Sequence, residues 1–205
     1  MVNTFRRARA VAALAMVVPS MAAAQLSTTR GLSLGIHLQG TSLKIEDENE
    51  TNSGGGLGIR VGYGFNRIVT GFIHLDGAQI DVPSAGTVQG QWNLAHAELG
   101  ARFHFANSNR RLVPYLEGSA GARVVTVSDA TVPGSSDAED ISFNGGAVTF
   151  GAGLSTFFKK RAAFDVSLKW TGGTFSEVDL GSVAVRNLDI DASSFRFGIG
   201  LIFWP

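Results

Sequence analysis

Residues 193–205 read SSFRFGIGLIFWP, and this stretch decides the class of fold. Large apolar side chains occupy every second position from Phe195 to Phe203, and they alternate with Ser194, Arg196, Gly198 and Gly200. A period of two is the pattern of a β-strand with two chemically different faces. The chain therefore ends on a strand whose apolar face must lie against a core or against lipid.

Similar period-two runs occur along the whole chain, so the final strand is one of many. Together with the C-terminal stretch they predict eight strands. The seven other runs are LSLGIHLQG from Leu32, LGIRVGYGF from Leu57, IVTGFIHLD from Ile68, AELGARFHF from Ala97, YLEGSAGARVVTV from Tyr115, AVTFGAGLSTFF from Ala147 and FDVSLKW from Phe164.

The connections between these runs alternate in length and in charge. Those after the second, fourth and sixth strands are short and basic, whereas those after the odd strands are long, polar and acidic and hold 13 of the 17 acidic residues. Short turns at one end and long loops at the other are typical of an outer-membrane barrel. The sequence thus predicts an all-β, eight-stranded antiparallel up-and-down transmembrane β-barrel with both termini on the periplasmic side.

The charged residues within the strands all lie on one face. In each strand they alternate with the large apolar side chains and so point to the opposite face. They are Arg60, Asp76, Glu98, Arg102, Glu117, Arg123, Asp165, Lys169 and Arg196. Burial of a charge is tolerable when it is paired. We therefore predict a charge network in the barrel lumen, with ion pairs across neighbouring strands. The expected pairs are Arg60 with Asp76, and Glu98 or Arg102 with Glu117 or Arg123. Lys169 is expected to pair with Asp165 or to lie close to Arg196.

Parity alone does not distinguish a membrane barrel from a soluble barrel of the lipocalin kind. Glycine favours the membrane barrel, because glycines such as Gly58, Gly153 and Gly200 share the charged face. Small residues belong where space is short, which in an eight-stranded barrel is the interior. The apolar face then points outward into lipid.

Phenylalanines are concentrated beside the short turns and at the C-terminus. Aromatic residues are enriched at membrane interfaces. We predict that six of them form a girdle at the periplasmic interface: Phe65, Phe103, Phe105, Phe158, Phe164 and Phe203.

The N-terminus has the composition of an export signal. Arg6, Arg7 and Arg9 precede an apolar stretch and the small residues Ala22 to Ala24, so we predict a signal peptide over 1–24 and a mature domain over 25–205. Removal of the signal leaves 14 basic against 17 acidic residues, a formal charge of −3. This charge gives no indication of nucleic-acid binding, and the absence of cysteine excludes thiolate metal sites and a cysteine nucleophile.

The chain resembles the family of small outer-membrane β-barrels that includes the transmembrane domain of outer-membrane protein A. The resemblance lies in AELGARFHF at 97–105, the basic turn that follows, LVPYLEGSAGARV at 112–124 and the alternating C-terminal strand. It implies an outer-membrane location in a Gram-negative-type envelope, contact with outer-membrane lipid and lipopolysaccharide, and recognition of the last strand by the barrel assembly machinery. Trp204 and Pro205 follow Phe203, whereas the family usually ends on the aromatic residue.

Several roles remain open for the lumen and the loops. The lumen charges form either a polar plug or a narrow ion path, and the four histidines on the same face are expected to be hydrogen-bonded side chains and not metal ligands. The acidic loops could bind an extracellular ligand or divalent cations. Some barrels that this chain resembles modify lipid A with a histidine and a serine at the outer surface. No histidine occurs in the long loops, and the nearest candidate pair, His104 with Ser108, falls at the periplasmic end. We therefore expect no catalytic residue and no cofactor, and a structural or surface-interaction role.

Overall fold

A computed structural model describes residues 28–45, 51–81, 89–105, 111–131, 139–180 and 183–205. The predicted signal peptide lies outside the described residues. Within them no helix is long and apolar enough to cross a membrane. The described residues contain eight strands: β1 (Gly31–Ile45), β2 (Thr51–Gly64), β3 (Val69–Asp81), β4 (Gln89–His104), β5 (Leu112–Thr131), β6 (Glu139–Lys159), β7 (Ala162–Leu180) and β8 (Val183–Phe203).

The eight strands form a closed ring. Each strand pairs antiparallel with its neighbours in the chain, and β8 returns to pair with β1 from Leu34 opposite Phe203 to Ile45 opposite Ala192. The alternating C-terminal stretch therefore closes the barrel and leaves no open edge, which a strand in hydrocarbon could not tolerate. The prediction of an all-β, eight-stranded antiparallel barrel is confirmed.

Large apolar side chains cover the outer wall of the barrel. In β2, for example, Leu57, Ile59 and Val61 are about half exposed, whereas Arg60 between them is 5% exposed. The six phenylalanines predicted for the girdle all have exposed side chains beside the short turns or the C-terminus. Such a continuous apolar surface is too large for contact with water and fits a lipid environment.

All eight strands are longer than a membrane requires, and the excess is largest in β5 to β8. Strands β5 to β8 have 19 to 21 residues, whereas a strand that spans a bilayer needs roughly 9–11. The sequence leaves open whether the segment 172–192 adds strands. Its described parts, residues 172–180 and 183–192, extend β7 and β8, which stay paired as far as Leu180 opposite Val183. The described part of the connection between β7 and β8 is thus strand, and its apolar side chains, such as Phe175 and Ile190, continue to pack.

Candidate functional site

The interior of the barrel holds all nine charged residues that the sequence assigns to the lumen. Each of them is between 0 and 7% exposed. Two linked networks account for eight of these residues: one is centred on Glu117 and Asp165, and the other on Arg196.

Glu117 is held by three basic side chains. Arg60 donates to its two carboxylate oxygens from Nη1 at 2.8 Å and from Nη2 at 3.0 Å, and Arg102 Nε donates at 2.9 Å. Lys169 Nζ lies 3.6 Å from the same carboxylate. Such a bidentate arginine pair with further donors is the geometry that makes a buried ion pair tolerable.

Asp165 links this network to the wall of the barrel. It accepts hydrogen bonds from Arg102 Nη1 at 3.1 Å, from Ser155 Oγ at 2.7 Å and from Tyr115 Oη at 2.8 Å. The Arg102 guanidinium also lies 3.6 Å from the centroid of the Tyr115 ring. Side chains from β4, β5, β6 and β7 are thereby tied together across the lumen.

Arg196 organises the second network. Its guanidinium donates to the carboxylates of Asp76 and Glu98, and Nη2 also donates to Thr171 Oγ1 at 2.7 Å. Glu98 in turn accepts from Thr149 Oγ1 at 2.7 Å. One arginine of β8 therefore forms ion pairs with two carboxylates from β3 and β4 on the far side of the ring.

Some ion-pair partners of the basic lumen residues differ from the predicted pairs between neighbouring strands. Arg60 pairs with Glu117 of β5 and not with Asp76 of β3, and the acidic partner of Lys169 is Glu117 instead of Asp165. The expected pair of Arg102 with Glu117 is present. Long arginine side chains span the narrow interior of an eight-stranded barrel, so they reach carboxylates on the opposite wall.

Arg123 is hydrogen-bonded to backbone carbonyl groups. Among the described residues it has no ion pair with a carboxylate, and it donates to the carbonyls of Ala192 at 3.1 Å and Gly173 at 3.0 Å. Its guanidinium lies 4.4 Å from the centroid of the Phe175 ring. Arg123 therefore anchors β7 and β8 at the outer end of the network.

All four histidines are buried in the lumen and contact other side chains. His74 Nε2 and His96 Nδ1 each lie 3.0 Å from the carboxylate of Asp76, and His37 Nε2 lies 3.3 Å from that of Asp165. The ring of His104 is 3.2 Å from Thr70 Oγ1, whereas Ser108 lies outside the described residues. In the described segments no group of three or more histidine, cysteine or acidic side chains is arranged to hold a metal ion.

Apolar side chains close both ends of the lumen. These two apolar clusters were not predicted from the sequence. At the outer end the buried cluster consists of Leu43, Ile80, Leu94, Val125, Phe175 and Ala192. At the end with the short turns it consists of Val113, Phe157, Ala163, Ile202 and Trp204. The residues of both clusters occupy the same alternate strand positions as the charged residues. This alternation was the sequence signal that could have revealed the clusters.

A small cavity lies among the buried charges next to the apolar cluster that contains Trp204. The cavity bordered by Arg60, Arg102 and Trp204 has a volume of about 10 Å³, which is about enough for a single water molecule. Trp204 stacks on Phe157 with ring centroids 5.0 Å apart, and the backbone N–H of Trp204 donates to the Arg161 carbonyl at 2.8 Å. The residues after Phe203 therefore complete the inner closure of the barrel.

Inward glycines provide the room that the buried side chains need. A Cβ atom at Gly153 would lie 2.2 Å from Tyr115 Oη, and one at Gly200 would lie 2.4 Å from the ring of His37. Because contacts this short cannot occur, each of these glycines allows a large polar side chain to lie flat inside the wall.

Gly153→Ala is expected to lower the free energy of unfolding by about 1–3 kcal/mol, because the added methyl group displaces Tyr115 from Asp165. Gly77→Ala is the matched control, since a Cβ there meets nothing within 4 Å. The comparison is made by urea titration of the folded proteins in lipid vesicles. Equal losses in the two variants would contradict the assigned role of Gly153.

Comparison with known proteins agrees with this architecture. A family model described as outer membrane protein beta-barrel domain matches residues 10–203. Neisserial surface protein A (NspA) superposes with a TM-score of 0.62 at 14% identity, covering 84% of this chain and 96% of that one. A search of curated proteins finds no match.

Two structures of the attachment invasion locus protein (Ail) of Yersinia pestis are also similar. The first has a TM-score of 0.54 at 15% identity and covers 85% of this chain and 99% of Ail. The second, a complex with the heparin analogue sucrose octasulfate, has a TM-score of 0.52 at 16% identity with the same coverage of 85% and 99%. At such identities the likeness concerns the fold alone.

Proposed function

Because the chain belongs to the outer membrane protein β-barrel domain family, we propose that it acts in the outer membrane as a structural and surface-interaction protein. The barrel is the support, and the working surface is the part of β5 to β8 that continues beyond the bilayer. The sealed lumen is the observation that carries this proposal.

The sealed lumen argues against the narrow ion pore, which was the main alternative. A conducting path needs continuous space for water, but the interior is occupied by ion pairs and closed by apolar clusters at both ends. Opening it would require displacing Phe175 at one end and Trp204 at the other. The lumen charges thus support a plug that stabilises the barrel.

The outer segments carry a strongly negative charge. Residues 44–53, 79–92, 126–143 and 174–191 contain 13 acidic residues but only two basic ones, Lys44 and Arg186. Electrostatic complementarity increases the rate and the specificity of association. The charge therefore favours a partner with a basic surface and disfavours a sulfated polyanion such as the heparin analogue in the Ail complex.

Binding to a basic partner is tested with the mature protein in lipid nanodiscs. We expect binding to immobilised polylysine that weakens as salt increases, and no binding to heparin. Replacing Glu177, Asp179, Asp189 and Asp191 with their amides should weaken polylysine binding by about tenfold. Tighter binding to heparin than to polylysine would overturn the charge assignment.

Lipid contacts of the outer wall form part of the same proposal. Lys44, Trp170 and Asp191 border a groove of about 310 Å³ at the outer end of the wall. Tryptophan is enriched at membrane interfaces, so Trp170 supports contact with outer-membrane lipid and lipopolysaccharide. Recognition by the barrel assembly machinery is proposed from the alternating strand that ends at Phe203.

Enzymatic modification of lipid A finds no support in the described residues. All four histidines are between 1 and 4% exposed and lie inside the barrel. A general base for a serine nucleophile must contact that serine at the surface where the lipid lies. We therefore propose a non-enzymatic role.

A further inference from the structure

An apolar groove lies on the outer wall at the periplasmic end of β7, β8 and β1. Its volume is about 310 Å³, and its lining includes Leu34, Ile36, Phe158, Ala162, Leu201 and Phe203. The groove exists because Ala162 is paired opposite Phe203. The short side chain of Ala162 leaves a depression between the rings of Phe158 and Phe203, at the depth of the predicted aromatic girdle.

Three basic side chains stand beside this groove. Lys159, Lys160 and Arg161 are all exposed, and Lys159 pairs in the sheet with Ala162. The turn itself is fixed, because the Lys160 carbonyl accepts from the Thr28 N–H at 3.2 Å and the Arg161 carbonyl accepts from the Trp204 N–H at 2.8 Å. Both chain ends thus hold the turn while its side chains remain available to a ligand.

No acidic residue of the sequence balances these charges at the periplasmic end. Residues 25–35, 62–72, 101–116, 156–164 and 201–205 contain no aspartate or glutamate. The acidic residues of the outer segments are on the other side of the membrane, and Asp165 is buried with Arg102. The turn therefore has an unbalanced positive charge directly beside an apolar surface.

We propose that this surface binds one anionic phospholipid of the periplasmic leaflet. An acyl chain lies in the groove between Phe158 and Phe203, and the phosphate contacts the basic side chains at 159–161. Basic residues beside a membrane attract anionic headgroups, and buried methylene groups add apolar contact. A peptidoglycan strand would match the charge but would leave the apolar groove unfilled, so the lipid is the occupant that fits both parts.

The test is native mass spectrometry of the mature folded protein in detergent micelles titrated with phosphatidylglycerol or with phosphatidylcholine. We expect one retained lipid with a preference for phosphatidylglycerol. The variant Lys159→Gln, Lys160→Gln, Arg161→Gln should reduce that preference by about tenfold. The variant Arg67→Gln, Arg111→Gln, which removes charge from the other two periplasmic turns, should retain it.

A second variant tests the groove separately from the charge. Ala162→Leu should reduce retention of both lipids without changing the preference, while heat-modifiable gel mobility confirms folding. Three results would overturn the proposal: an unchanged preference in the triple variant, an equal loss in the Arg67 and Arg111 variant, or full retention of lipid by Ala162→Leu. Binding to peptidoglycan sacculi that the triple variant abolishes, with lipid retention unchanged, would assign the turn to the cell wall and also overturn it.

Discussion

Replacing Arg196 with methionine is expected to lower the free energy of unfolding by about 3–5 kcal/mol. Arg196 is 1% exposed and forms ion pairs with both Asp76 and Glu98. The substitution leaves two carboxylates buried without this counter-ion. Urea titration in lipid vesicles, followed by tryptophan fluorescence, measures the loss.

Two further variants show whether this loss arises from buried charge. Arg186 forms an ion pair with Glu177 at the surface, and its side chain is 73% exposed. Arg186→Met removes this pair and should leave the urea midpoint unchanged. Adding Asp76→Asn and Glu98→Gln to Arg196→Met should restore much of the stability, because no unpaired charge then remains. Wild-type stability of Arg196→Met alone would show that the ion pairs do not hold the barrel together.

Ile199→Arg is expected to cost about 2–4 kcal/mol, which is the penalty for an outward arginine near the middle of the bilayer. Ile199 is the central member of the five outward apolar residues at alternate positions from Phe195 to Phe203. The loss should be seen as a lower urea midpoint in vesicles and as a smaller folded fraction on refolding.

Val185→Arg is the matched control for this substitution. Val185 is on the same strand and is 41% exposed, close to the 49% of Ile199, but it belongs to the extension of β8 beyond the membrane. We expect no change in its urea midpoint. An equal loss in the two variants would mean that Ile199 does not face lipid.

The alternation of side chains explains why the architecture could be predicted from the sequence. One residue such as Arg60 between Ile59 and Val61 identifies two faces, and repetition over many strands identifies a barrel. Glycines on the charged face then indicate the inside. These signals are local, so they need no knowledge of how distant strands meet.

The interior contacts could not be predicted in the same way. The partner of Arg60 depends on which side chain approaches from the opposite wall, and Glu117 is 57 residues away in sequence. Likewise, Phe175 and Leu43 come together only after the ring closes between β8 and β1. The sequence also left open whether the polar segment 172–192 adds strands, because its side chains do not follow the regular apolar alternation that identifies a strand.

The most direct test of the sealed lumen is single-channel recording of the mature, refolded protein in a planar bilayer, with folding confirmed by gel mobility. We expect no reproducible current steps from the wild type or from Glu117→Gln, because the apolar ends remain closed in both. Reproducible steps whose conductance changes with Glu117→Gln would show that ions pass the charge network, and would contradict both the closed barrel and the surface role built on it.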